Sequence, residues 1–221
     1  MNNNLGFLHS TQAVIHEAGM TDPRNDPPRS SRERILWVDG VGGFQLVEAE
    51  EIVIGQAIPG SDADVHVVGD LSRRAVVLRR SGSDFLVQPL QETFLDDQLI
   101  DRPQLLSREC ELRVGARVRL RFTQPTPLSG TARLQLSSVH RFQPRVDGVL
   151  LLAESCIIGP TRGSHIYCPH WTSELILFKH PGGWFIRTLD EVEVNGQLET
   201  GQILVSPGMR LRGPGYSLSL E

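Results

Sequence analysis

One stretch of this chain gathers the side chains that can ligate a metal or move a proton. It is His165-Ile166-Tyr167-Cys168-Pro169-His170, with Cys156 a strand-length earlier. Zinc takes thiolates and imidazoles, and positions 168 and 170 share one face of an extended segment. The spacing fits no common zinc pattern, however, and free cysteine is a frequent core residue. No metal is expected. The carboxylates Asp62, Asp64, Asp70, Glu174 and Asp190 follow no paired spacing and read as a polar rim. Gly40-Val41-Gly42-Gly43 precedes no helical pattern and no Gly-Lys-Ser/Thr, so it reads as a hairpin loop, not a phosphate cradle. There is no G-x-S-x-G. These residues suggest no catalysis and no cofactor.

Composition narrows the class. The 221 residues are 39% hydrophobic and 22% charged, which suits one or two globular domains. A net charge of −4 leaves no basic footprint, so nucleic acid is disfavoured as a partner. No run approaches the roughly 18 apolar residues of a membrane helix, so no membrane partner is expected. Cys110, Cys156 and Cys168 form an odd set without C-x-x-C, which argues against a disulfide framework and for a reducing compartment. The start Met1-Asn2-Asn3-Asn4-Leu5 lacks a signal-peptide pattern, and a cytoplasmic protein is expected.

The elements are short. Residues 1–33 include the proline-broken Asp22-to-Arg32 stretch and read as a flexible tail, with a marginal helical turn over Thr11–Ala18. From Arg34 onward, β-type runs alternate with Gly/Pro turns, among them Ile35–Val38, Phe44–Val47, Ile52–Ile54, Ala75–Leu78 and Phe85–Val87. No stretch of ten residues holds a helical period. The expectation is an all-β chain of antiparallel sandwiches. Trp37, Trp171 and Trp184 read as core or edge packing.

The runs repeat. Val47-to-Gly55 matches Leu151-to-Gly159, both ending apolar-Ile-Gly. Ala75-to-Val87 falls on Glu174-to-Ile186, Leu95-to-Leu99 on Val194-to-Leu198, and Val118–Arg121 on Met209–Arg212. This gives two copies of one β domain, 34–138 and 139–221. Val139–Asp147 reads as a first strand, not a loose linker. Asn195-Gly196 reads as a type I′ hairpin turn, a geometry that Asp96-Asp97 tolerates less well.

The order of these motifs resembles the forkhead-associated (FHA) domain, in tandem. The residues that carry the resemblance are Ile54-Gly55, Leu71-Ser72-Arg73-Arg74 and Val194-Asn195-Gly196. The resemblance implies two β-sandwiches whose loops bind phosphothreonine peptides, hence a non-catalytic signalling adaptor with a protein partner. A phosphothreonine presents about −1.5 to −2 charge and three acceptor oxygens, which suit guanidinium and hydroxyl donors. On the family pattern the candidate contacts are Ser72, Arg73, Arg74 and, in the place of the peptide-holding asparagine, Gln91. The chain departs from the pattern elsewhere. Gln56 and Pro160 follow the Ile-Gly pairs where an arginine is expected, and Ala75 takes the histidine position. In the second copy Trp171, Thr172, Glu174 and Asp190 occupy the matching places, with Trp171 a candidate for presenting its ring to a partner. The alternative is a phosphate-independent scaffold on the same folds.

Overall fold

The computed structural model describes residues 34–126 and 129–221; the tail expected over 1–33 lies outside the described residues. Among the described residues there is no helix. The strands of the first part are β1 (Arg34–Val38), β2 (Gly42–Val47), β3 (Glu51–Gln56), β4 (Val65–Val68), β5 (Val76–Ser81), β6 (Asp84–Pro89) and β7 (Thr93–Leu95). They continue through β8 (Gln98–Ile100), β9 (Gln104–Leu105), β10 (Glu109–Val114), β11 (Val118–Thr123), β12 (Ala132–Leu136), β13 (Arg141–Gln143) and β14 (Gly148–Leu151). The last are β15 (Ser155–Gly159), β16 (Ile166–Tyr167), β17 (Leu175–His180), β18 (Gly183–Val194), β19 (Gln197–Leu204), β20 (Arg210–Gly213) and β21 (Tyr216–Leu220). The all-β sandwich architecture is the one the alternating pattern predicts.

Two cores organise these strands. In the first, the sheet β13-β4-β3-β5-β6-β9 packs on β14-β12-β11-β10-β7-β8. Ile52, Ile54, Val76 and Leu78 meet Leu112, Leu120, Leu134 and Leu151 between them. Phe85 and Phe122 join the two layers edge-to-face, with centroids 5.3 Å apart. In the second, β18 runs through both layers. Its first half pairs β17 and its last residues pair β20, with a register shift between Thr188 and Val192. A bulge of this kind lets one strand bend from layer to layer.

The halves exchange strands across the boundary at 138/139 suggested by the repeat. The second core is closed by β1 and β2, whose Leu36, Val38, Phe44 and Leu46 pack with Leu211, Leu218 and Leu220. β1 pairs antiparallel with β21, from Leu36 opposite Leu220 to Val38 opposite Leu218. The first core is closed in turn by β14, which lies beyond that boundary and pairs with β12 of the first half. The stretch Val139–Asp147 does contain a strand, β13, but it joins β4 of the first sandwich.

The two closing pairs meet along a parallel seam between β2 and β14, Gly148 opposite Phe44 through Leu151 opposite Val47. β14 has cores on both faces: Val149 and Leu151 point into the first, Leu150 and, just beyond the strand, Leu152 into the second. That explains why Gly148-to-Leu152 shows no polar alternation, since a strand covered on both faces reads as a continuous apolar run. Gly148 is closely approached by the Leu134 carbonyl and the Phe44 ring, both about 3.3 Å from where a Cβ would stand, so a side chain there would press its neighbours aside by a few tenths of an ångström.

Glu48, just after β2, ties this seam to the second sandwich. Its carboxylate accepts hydrogen bonds from Trp184 Nε1 (2.9 Å) and Arg34 (3.3 Å) and pairs with Lys179 Nζ at 2.6 Å. Partial burial alone would raise the Glu48 carboxyl, but the Lys179 and Trp184 hydrogen bonds outweigh it and hold it below the usual range.

Candidate functional site

The expected contact residues lie on loops at one end of the first sandwich. Ser72, Arg73 and Arg74 belong to the β4–β5 loop and are all exposed. Gln91 stands in the β6–β7 connection, and its Oε1 accepts the Ser72 backbone N–H at 2.8 Å. Gln91 therefore holds the serine loop and not, with that oxygen, a ligand. The loop is pinned a second time where the Gln56 N–H donates to the Ser72 carbonyl at 3.0 Å. Gly55 supplies the third constraint. A Cβ there would stand 1.8 Å from the Arg73 carbonyl oxygen, so the close approach of β3 to this loop needs glycine.

The three basic and hydroxyl candidates are not equivalent. Arg74 is committed to carboxylates, Asp62 at 2.9 Å and Glu51 at 3.9 Å. Glu51 also binds Arg79 at 2.9 Å. Arg73 makes no ion pair among the described residues and is the free cation of this rim. Gln56, in the place of an expected arginine, donates its amide to the Gly69 carbonyl at 3.2 Å. The structure thus joins Ser72 with Gln91, leaves Arg73 open beside them, and takes Arg74 out of the set. Sequence reasoning missed Asp62 as the residue that occupies Arg74; only its acidic type and its place in the β3–β4 loop could have signalled it.

The matching rim of the second sandwich is filled. Trp171 is 6% exposed and stacks on Tyr216 with centroids 4.9 Å apart, so the expectation of a ring offered to a partner is corrected. The Tyr216 hydroxyl donates to Asp190 at 3.0 Å and lies 3.3 Å from Thr188 Oγ1. A ring in the serine's place, anchored by a carboxylate, leaves no room or charge for an anion.

The hairpin turns behave alike in both halves. Asn195 and Gly196 both have positive φ, 51° and 89°, as a type I′ turn requires. Asp96 and Asp97 adopt the same geometry, at 47° and 63°. Each first residue repays the strain through its side chain: Asp96 Oδ1 accepts the Glu111 N–H at 2.8 Å, and Asn195 Oδ1 accepts the Arg210 N–H at 2.9 Å. These contacts set β20 in the place of β10. The match of Val118–Arg121 to Met209–Arg212 is therefore one strand out, because Arg-Leu-Arg alternation suits either arm of a hairpin.

The histidine and cysteine cluster serves packing. His165 is fully buried, and both ring nitrogens are used. Nδ1 accepts the Ile157 N–H at 2.9 Å, which leaves Nε2–H to donate to Ser129 Oγ at 2.7 Å. A serine that accepts from histidine is not activated as a nucleophile. His170 is exposed, and Cys156 and Cys168 are free and buried. Burial pushes the Cys168 thiol up to about 12 and raises Cys156 as well, so neither offers a thiolate.

Burial, reinforced by the Arg133 charge, pushes His165 down to about 4, and the Ile157 N–H donated to Nδ1 suits the neutral ring. The unfolded chain then binds this proton more readily, near the ordinary value of about 6.5. The stabilisation is complete above that value and is lost as pH falls toward 4. The expected loss is about 3 kcal/mol between pH 7.5 and 4. Urea midpoints measured across that range should show this slope, and His165→Asn should flatten it.

No family model and no curated protein matches the chain. The chain is similar to a solved structure named "Rv0020c_FHA Structure", with 26% identity, covering 38% of this chain and 84% of that one, at a TM-score of 0.28. No helix among the described residues is long and apolar enough to cross a membrane.

Proposed function

We propose that the chain is a non-catalytic protein-interaction module, of the signalling-adaptor type, that takes a phosphothreonine-bearing segment of a protein at the loop end of its first sandwich. The observation that carries this reading is the exposed Arg73, without an ion pair among the described residues, beside the exposed Ser72, on a loop fixed by Gln91, Gln56 and Gly55. A hydroxyl and a guanidinium carried on a loop whose backbone is pinned suit a phosphate, whose oxygens accept from both. The second sandwich acts as a support, because Trp171, Tyr216 and Asp190 fill its matching rim. The proposed setting is cytoplasmic.

A second reading, a phosphate-independent scaffold, has its own support. Arg74 is neutralised by Asp62, and Gln56 offers no charge where an arginine is expected. One experiment separates the two. The full chain is presented with degenerate peptide libraries, phosphorylated and unphosphorylated. Preference for phosphothreonine, reduced about tenfold by Arg73→Ala and less by Ser72→Ala, supports the first reading; that factor corresponds to losing a charge-assisted hydrogen bond of about 1.5 kcal/mol. Equal binding of both libraries selects the second.

A further inference from the structure

The edge of a sheet exposes unpaired backbone groups, and proteins keep such edges short, charged or broken by proline. Four edges among the described residues are short: β16 and β9 have two residues each, β8 and β13 three. β19 is different. It runs for eight residues, Gln197–Leu204, without Lys, Arg or Pro, and it pairs with β18 alone.

The register tells which groups its other edge offers. The two-residue turn Asn195-Gly196 closes on Val194 and Gln197, so Gln197 turns its N–H and C=O toward β18. Alternate residues follow it, as far as Val205, whose N–H donates to the Trp184 carbonyl at 2.8 Å. The peptide groups of Leu198, Thr200, Gln202 and Leu204 therefore face away from β18, and no described residue bonds to them. Their side chains share the outward face and all are exposed, because Ile203 on the other face enters the core. Leu198 is 69% and Leu204 53% exposed. Leu204 lies opposite Phe185, and Phe185 opposite Phe178, so the outward face beside this edge is apolar. Gly201, with φ of 82°, bends β19 at its middle, where β18 shifts register.

We propose that the chain forms a two-fold dimer by joining β19 edge to edge with β19 of a second copy. The two strands run antiparallel about an axis at Gly201. Leu198 then stands opposite Leu204 of the other copy, and Thr200 opposite Gln202. This one register brings every free peptide group from 198 to 204 into hydrogen-bonded pairs. It also covers each exposed leucine with the other, beside Phe185. A straight partner strand would follow only half of the bent edge, whereas a second β19 carries the same bend at the same point. The closest approach falls where Gly201 meets its copy and no side chain intervenes. One such edge per chain closes the assembly at two copies. This is independent of what the Ser72 rim binds.

The test is light scattering on the full chain, of 24.5 kDa, across a concentration series. Twice that mass is expected for the wild type. Thr200→Pro removes an N–H that faces away from β18, a place where an edge strand tolerates proline. It should weaken dimerisation about tenfold or more, and so should Leu204→Asp. A single-chain mass throughout, a species larger than two chains, or a dimer indifferent to both substitutions overturns the proposal. Hydrogen exchange on the wild type gives a measure that needs no variant. The amides of Leu198, Thr200, Gln202 and Leu204 should be protected about tenfold or more, although no described residue bonds to them. Exchange of these four amides at the rate of an open edge overturns it as well.

Discussion

Residues 139–221 expressed alone are expected to remain unfolded, although the repeat in the sequence makes them look like a complete domain. The second core depends on Leu36, Val38, Phe44 and Leu46 from β1 and β2. Each such side chain contributes about 1.5–3 kcal/mol when buried, so removing them costs about 6–12 kcal/mol. That is comparable to the whole stability of an ordinary domain, about 5–15 kcal/mol. The fragment also exposes β21 as an unpaired edge. Joining residues 34–47 to it through a flexible linker should restore a cooperative transition in circular dichroism. A fragment spanning 48–153 should fold unaided, because β12 and β14 already close the first core. Cooperative melting of 139–221 by itself would show that the exchanged hairpin is dispensable.

Arg80→Ala is expected to destabilise the full chain by about 3–4 kcal/mol, since hydrogen bonds to a charged group contribute about 1.5–3 kcal/mol each and their loss leaves carbonyls unpaired. The Arg80 guanidinium gathers three backbone carbonyls from three connections: Ala49 at 3.2 Å, Gly130 at 3.0 Å and Leu152 at 2.6 Å. It also lies over the Phe85 ring, 4.7 Å from its centroid. Two of these connections, after β2 and after β14, are the crossings between the two sandwiches, and the third joins β11 to β12 within the first. Burial lowers its proton affinity, and the charges of Glu50 and Glu48 oppose that change. Lysine, with a single charged nitrogen and no planar fork, should recover less than half of the loss. Denaturant titration of the three proteins measures this. A loss below about 1 kcal/mol would mean that water replaces the guanidinium at little cost.

Much of the frame was legible because local patterns encode it. Ile52-Val53-Ile54-Gly55 and Cys156-Ile157-Ile158-Gly159 announce strands that end in a close backbone approach, and the structure places a loop against each glycine. Asn195-Gly196 announces its turn by residue type alone. Which sheet a strand joins is not local. Alternation in Ile35–Val38 says that one face is buried but not by which core, so the pairing of β1 with β21 was hidden. The unbroken run Gly148-to-Leu152 held the clue, since it needs two cores to cover it.

At the rim, residue types identified Ser72, Arg73, Arg74 and Gln91, but not their commitments. Whether a guanidinium is free depends on carboxylates brought near by other loops, as Asp62 is for Arg74. Whether a glutamine faces outward depends on the backbone beside it, and Gln91 faces the Ser72 N–H. Trp171 was ambiguous for the same reason, because only Tyr216 on the final strand decides that its ring is covered.

The pairing of β1 with β21 has a consequence for biosynthesis. A nascent chain can complete its first sandwich once Leu152 has cleared the ribosome. The hairpin of residues 34–47 can pair with β14 by then, but the outer edge of β1 has no partner until residues 216–220 emerge. Until then Leu36, Phe44 and Leu46 lack the strands that cover them, so the first of the described strands are among the last to find their place.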